Sequence, residues 1–222
     1  MKTVLVFGIH PDDETLGCGG TLLKHKESGD EVHWLLATES TTVDGYSESF
    51  VSTREEEIKK VSKFYGFKSL TRLGFPTTQV DQYNTSDIVE KISKVFSLIK
   101  PQVIYLPFKS DVHSDHRIFF NAAFSCTKAF RYPFIKKVYM METLSETEFA
   151  PSTKEDSFIP NVFSDISCFM DEKIKIMNVF RSEIDVHPFP RSEENMRALA
   201  IYRGATSNCK YAESFMLLKE IK

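Results

Sequence analysis

Residues Thr3 to Ile9 read Thr-Val-Leu-Val-Phe-Gly-Ile, a nearly all-apolar, β-branched run. Such a run belongs in the middle of a sheet that is covered on both faces, and sheets of that kind are mostly parallel with helices packed on either side. The next residues agree with this. Thr15 to Ser28 carries Leu16, Leu22 and Leu23 at helical spacing with Gly29 as a stop signal, and Glu31 to Thr38 is a second strand. Strand, helix and strand in that order make a βαβ unit, whose crossover is right-handed.

The alternation continues. Ser52 to Tyr65 is helical, with Ile58, Val61 and Phe64 on one stripe. Ser69 to Leu73 is a short strand, Ser86 to Ile99 a helix, Val103 to Pro107 a strand, His116 to Phe130 a helix and Lys136 to Glu142 a strand. This pattern predicts an α/β fold, a doubly wound and mostly parallel sheet with helices on both faces, whose ligands bind outside the carboxyl ends of the strands. Ala150 to Pro160 is a polar loop. Beyond it, helices over Asp171 to Arg181 and Glu193 to Arg203 flank the break His187-Pro188-Phe189-Pro190, and Ser214 to Lys219 reads as a strand. No repeat or linker divides the chain. The expectation is one domain over residues 1–222, with its C-terminal third, about 150–222, an elaboration that shapes the substrate pocket.

Composition narrows the partners. A chain of 222 residues buries roughly 70% of its unfolded surface, enough for one sizeable core. With 28 basic and 31 acidic side chains the net charge is −3, so the basic footprint of a nucleic-acid binder is missing. Cys18, Cys126, Cys168 and Cys209 are single and far apart, without a CxxC pair, which fits a reducing compartment and small buried side chains. The apolar run after Lys2 is too short for a signal peptide, and no stretch approaches the roughly 20 apolar residues of a membrane span. A soluble, cytoplasmic protein is expected.

His10-Pro11-Asp12-Asp13-Glu14 follows the first buried strand directly. His10 and Asp13, three apart across a tight turn, can bring an imidazole nitrogen and a carboxylate oxygen to one ion, with Asp12 left free beside it. The plainer reading is that Asp12 and Asp13 cap the following helix. Asp111-Val112-His113-Ser114-Asp115-His116 follows the strand at Val103 to Pro107, and His113 and His116 share a face at a helix start. By itself this second cluster could be an ordinary polar loop. Two such clusters at the carboxyl ends of neighbouring parallel strands point to a site.

Together they offer His, Asp and His as ligands, a donor set suited to Zn²⁺ or another divalent ion such as Fe²⁺. Three protein ligands leave a position open, as catalytic sites do. Asp12 is then placed to take a proton from an activated water. His113 can face a developing oxyanion or protonate a leaving nitrogen, and Asp115 can hold that imidazole in the required tautomer.

Gly8-Ile9-His10-Pro11-Asp12-Asp13-Glu14 and His113-Ser114-Asp115-His116, about a hundred residues apart, resemble the two motifs of the PIG-L/LmbE family of zinc-dependent amino-sugar N-deacetylases, A/G-H-P-D-D-E and H-x-D-H. Leu16-Gly17-Cys18-Gly19-Gly20, Arg54-Glu55-Glu56-Glu57 and Tyr211-Ala212-Glu213-Ser214-Phe215 extend the resemblance over most of the chain. It implies a Rossmann-like, LmbE-like fold that holds zinc and removes the acetyl group from an N-acetylglucosamine-type conjugate. By position it makes His10, Asp13 and His116 the ligands, Asp12 the general base, and His113 the oxyanion stabiliser or acid supported by Asp115. It places Arg54 near the sugar, where its fork of donors could bind hydroxyls; the other reading of Arg54 is an exposed helix arginine paired with Glu57. Ser114, Val112 and the stretch Arg181-Ser182-Glu183, where the family often has an aromatic residue, Ser and Gln, depart from the pattern and bear on the substrate more than on the reaction.

The competing class is a non-catalytic Rossmann-like module that binds a nucleotide or sugar, its clusters acting as helix caps. Gly17, Gly19 and Gly20 do not make a dinucleotide fingerprint, which would need glycine at Leu22, and are read as close packing of the first helix. His25 and His33 are read as structural and without partners, and His187 as a weak candidate to reach the site. Among 19 phenylalanines, Phe50, Phe75, Phe108 and Phe189 sit in loops, as core, as a sugar-stacking wall or as a homo-oligomer contact.

Overall fold

The computed structural model describes residues 1–222. Strand β1 (Thr3–Gly8) is followed by helix α1 (Asp13–Glu27), β2 (Glu31–Glu39), α2 (Glu48–Tyr65), β3 (Ser69–Pro76), α3 (Thr85–Ile99), β4 (Val103–Leu106), α4 (Ser114–Ser125), β5 (Lys137–Met141), β6 (Val162–Asp165), α5 (Met170–Met177), α6 (Glu193–Ser207) and β7 (Ala212–Glu220). β1 lies inside a seven-stranded sheet ordered β3-β2-β1-β4-β5-β7-β6. Its neighbours β2 and β4 both run parallel to it. Val4 and Val6 point into one core with Trp34 and Ile58; Leu5 and Phe7 point into the other with Leu35 and Phe119. All four β1 side chains are fully buried, each contributing about 1.5–3 kcal/mol, and that burial on both faces keeps β1 in the interior of the sheet.

From β1 the chain winds outward through β2 and β3, then returns to β4 on the other side. The order therefore reverses between β1 and β4, where a crevice opens outside the strand ends. Both sequence clusters lie at that point.

The fold is the doubly wound α/β fold expected, with an antiparallel edge. β7 pairs antiparallel with β5 and β6, so the C-terminal third adds strands to the same sheet. β6 is absent from the sequence reading: its four residues, Val-Phe-Ser-Asp, are too short and too exposed to show a period. Helix α2 begins earlier than expected because the Ser47 hydroxyl accepts the Phe50 N–H at 3.2 Å and caps another turn. Helix α4 starts at Ser114 because His113 caps it, and ends at Ser125, short of Phe130.

Helix α1 is broken at Cys18 (φ −151°, ψ 23°). The break leaves the Gly20 and Thr21 N–H groups without helical acceptors, and the two oxygens of Glu213 on β7 accept them at 2.8 and 2.7 Å. Lys173 of α5 pairs with the same carboxylate at 2.8 Å and donates to the Leu16 carbonyl at 2.9 Å. The glycines serve close packing, as expected: a Cβ on Gly20 would lie 2.7 Å from Ile166, and one on Gly19 2.6 Å from the Tyr65 hydroxyl.

His25 and His33 do have partners, contrary to expectation, and both are structural. His25 links Asp30 at 2.8 Å to the Tyr105 hydroxyl at 3.0 Å, and His33 meets Ser69 at 2.7 Å. Cys18 and Cys126 are buried, whereas Cys168 is exposed. No helix is long and apolar enough to cross a membrane.

Candidate metal centre and active site

After β1 the backbone turns sharply enough to put Asp12 at φ 139°, a conformation that non-glycine residues rarely adopt. The turn is held by the Asp12 carbonyl, which accepts the N–H groups of Thr15 and Leu16 at 2.9 and 2.8 Å. Asp12 occupies the cap position of α1, yet its side chain makes no capping bond. Asp13 turns back to the strand, its Oδ2 accepting the N–H groups of Ile9 and His10 at 2.9 and 2.8 Å. Neither carboxylate caps the helix in the way the plainer reading requires.

The turn and the start of α4 bring three donor atoms together. His116 Nε2 lies 3.2 Å from Asp13 Oδ2 and 3.3 Å from His10 Nδ1, and His10 Nδ1 lies 3.8 Å from Asp13 Oδ2. A tetrahedral zinc ion with bonds of about 2.0–2.1 Å holds its ligand atoms about 3.3–3.4 Å apart, so these residues fit one. Oxygen and imidazole donors without a thiolate suit a borderline divalent cation.

Each imidazole has a carboxylate behind it. His116 Nδ1 is 2.9 Å from Asp111 Oδ2, and Asp111 Oδ1 accepts the Thr147 hydroxyl at 2.7 Å. His10 Nε2 is 3.4 Å from Asp115 Oδ2, which also accepts the Thr78 N–H at 2.8 Å. Such partners fix the tautomer of a ligating histidine and raise its basicity. Asp111→Asn keeps the shape and removes the charge behind His116, and is expected to weaken metal binding by about 10–100-fold, measured by competition with a chelator. An unchanged dissociation constant would make Asp111 a packing residue only.

Asp115 therefore serves a different histidine from the one expected. Its carboxylate lies 3.9 Å from His113 Nδ1, beyond hydrogen-bond range, and faces His10 instead. Its main-chain N–H donates to His113 Nδ1 at 3.1 Å, because His113 is the cap of α4. With Nδ1 accepting, the neutral ring carries its proton on Nε2. Burial, then the neighbouring His10, holds the His113 pKa down to about 4, so the ring is neutral near pH 7.

Asp12 is buried, and burial followed by the adjacent Asp13 charge pushes its carboxyl well above the ordinary range. The guanidinium of Arg191, 3.1 Å away, acts in the opposite direction. Arg54 is only 8% exposed at the edge of the same cavity, stacked on Phe50 and Phe180 at 5.4 and 5.6 Å. It pairs with Glu57 at 3.5 Å, as one reading had it, and with Glu183 as well. The cavity, about 260 Å³, is lined by His10, Asp12, Asp13, Arg54, His113 and Arg191 among others, and also by Glu146, whose carboxyl burial pushes up to about 7. His187 lines a separate cavity. Phe50 belongs to the site wall, while Phe75 and Phe108 are buried core.

Sequence reasoning missed Arg191 and the role of Asp111; it marked the stretch Arg181-Ser182-Glu183 as bearing on the substrate but not the pairing of Glu183 with Arg54 and Arg191. Asp111 stood inside the second cluster, and its spacing to His116 was the available signal. Arg191 and Glu183 lie in irregular segments between α5 and α6 that carry no periodic signal.

The family model described as "PIG-L: GlcNAc-PI de-N-acetylase" matches residues 5–127, which include every residue of both clusters. A diacetylchitobiose deacetylase of Thermococcus kodakarensis is 27% identical over 232 aligned residues, covering 100% of this chain and 85% of that protein. Among solved structures, the conserved protein TT1542 of Thermus thermophilus superposes with a TM-score of 0.80 at 24% identity, covering 100% of this chain and 97% of its own. The N,N′-diacetylchitobiose deacetylase of Pyrococcus horikoshii superposes with a TM-score of 0.77 at 21% identity, covering 98% and 84%.

Proposed function

The chain belongs to the PIG-L family, and from that premise we propose that it is a metal-dependent hydrolase that removes the N-acetyl group from an amino-sugar conjugate. The observation that carries this reading is the triangle of His10, Asp13 and His116 donor atoms with the uncoordinated carboxylate of Asp12 beside it.

A divalent ion held by those three residues supplies Lewis acidity, lowering the pKa of water towards ~7 and polarising the acetyl carbonyl. Asp12 takes the proton from the attacking water. Asp12 then hands this proton to the departing nitrogen. The Nε2–H of neutral His113 donates to the carbonyl oxygen as it becomes negative, a preorganised donor of the oxyanion-hole kind. Asp115 fixes His113 through its main-chain N–H and His10 through its carboxylate. Arg54, 5.4 and 5.6 Å from the Phe50 and Phe180 ring centres, lines the cavity and would meet the sugar at its wall. The amide and water become acetate and a free amine.

The purified protein is expected to bind about one divalent ion per chain and, so loaded, to release acetate from at least one member of a panel of N-acetylated sugars, nucleotide sugars and glycosides. Metal binding without acetate release from any of them would favour a binding module over an enzyme.

A further inference from the structure

Both arginines of the cavity are already occupied. Glu183 Oε1 pairs with Arg54, and its Oε2 lies 3.2 Å from Arg191 Nη2, so one carboxylate bridges two guanidinium groups. The Nη groups are engaged elsewhere as well. Arg54 Nη2 also donates to the Ser182 hydroxyl at 2.9 Å and Nη1 to the Pro11 carbonyl at 3.4 Å, Arg191 Nη1 donates to Asp12 at 3.1 Å, and Arg191 Nε is buried without a partner. The two-pronged grip that an arginine offers a carboxylate or phosphate is therefore spent within the protein. What remains towards the cavity is acidic, with Glu39 and Glu146 adding to Asp12, Asp13 and Glu183.

Resting on the deacetylase reading, the geometry points to Glu183 as a specificity-determining residue that makes this site select amino-sugar conjugates with an uncharged neighbouring group, such as a second sugar, over those bearing phosphate or carboxylate there. An anionic group entering the cavity finds each guanidinium already paired, Arg54 with Glu57 and Glu183 and Arg191 with Asp12 and Glu183. To be gripped, it would have to displace Glu183, whose side chain is only 21% exposed, and leave that carboxylate unpaired beside a second negative charge. A neutral sugar needs only hydrogen bonds, and its hydroxyls can donate to the same carboxylates. Glu183 lies on the short turn Arg181–Glu183 of the C-terminal third, apart from the strand-end loops that carry the metal ligands.

The test compares metal-loaded wild type and Glu183→Gln on N,N′-diacetylchitobiose as the neutral probe and N-acetylglucosamine 1-phosphate as the anionic one. The variant removes the charge but keeps the size of the side chain. The ratio of kcat/KM, anionic over neutral, is expected to rise about tenfold or more in Glu183→Gln, with metal content unchanged. An unaltered or lower ratio, or a wild type that already prefers the phosphate probe, overturns the assignment. Calorimetric binding of the two probes to both proteins reads the same preference without turnover. A chain that turns over neither probe nor any other member of the panel counts against the deacetylase reading alone, while the ratio of affinities still decides on Glu183. Should Glu183→Gln fail to fold, the wild-type order of affinities decides.

Discussion

Asp12→Asn is expected to lower acetate release by about 10²–10⁴-fold while the protein keeps its metal. The amide cannot accept the proton of the attacking water. Its carbonyl oxygen can still receive the Arg191 donor that Asp12 Oδ2 receives, so the site should keep its shape. The relevant pair of measurements is kcat with the best substrate of the panel and metal content by elemental analysis. Wild-type kcat in the Asp12→Asn protein would remove Asp12 from the mechanism. Loss of the metal along with activity would instead make Asp12 a ligand and place the base elsewhere.

His10→Ala and His116→Ala are each expected to abolish stoichiometric metal binding and reduce acetate release to background, because two donors replace three. The two variants should differ in stability. Each variant takes a partner from a buried carboxylate, Asp115 or Asp111, but His10 is partly exposed whereas His116 is fully buried, so His116→Ala also empties buried space at a further cost of about 1–3 kcal/mol. Thermal unfolding without metal checks this: His116→Ala should melt lower than His10→Ala. Equal melting temperatures would show that the space left by His116 closes without cost, and metal retained in either variant would break the ligand assignment.

The sheet and the two clusters were legible because each is written in consecutive residues. An apolar run such as Val4-Leu5-Val6-Phe7 declares a strand buried on both faces, and in this architecture the residues just after it must lie at a ligand-binding edge. The pairing of β1 with β4 then brings His10 to His116 with no further information needed. Contacts that depend on how a side chain turns were not legible. Asp115 is two residues from His113 and was assigned to it, but the helix start turns its carboxylate towards His10 and the Thr78 N–H, which comes from the loop after β3. Arg191 reaches Asp12 across 179 residues, out of an irregular segment whose course is set by the packing of α5 and α6. The antiparallel edge was hidden for a similar reason, since β6 is held by its pairing with β7 rather than by a pattern of its own.

The break in α1 bears on the order in which this protein is made. Asp13 opens that helix, and the helix is complete only when Glu213, 193 residues beyond Gly20, supplies acceptors for two stranded N–H groups. A chain emerging from the ribosome presents both His/Asp clusters long before it presents that carboxylate or Lys173, so two N–H groups of α1 wait on the C-terminal third for the acceptors that the finished fold gives them.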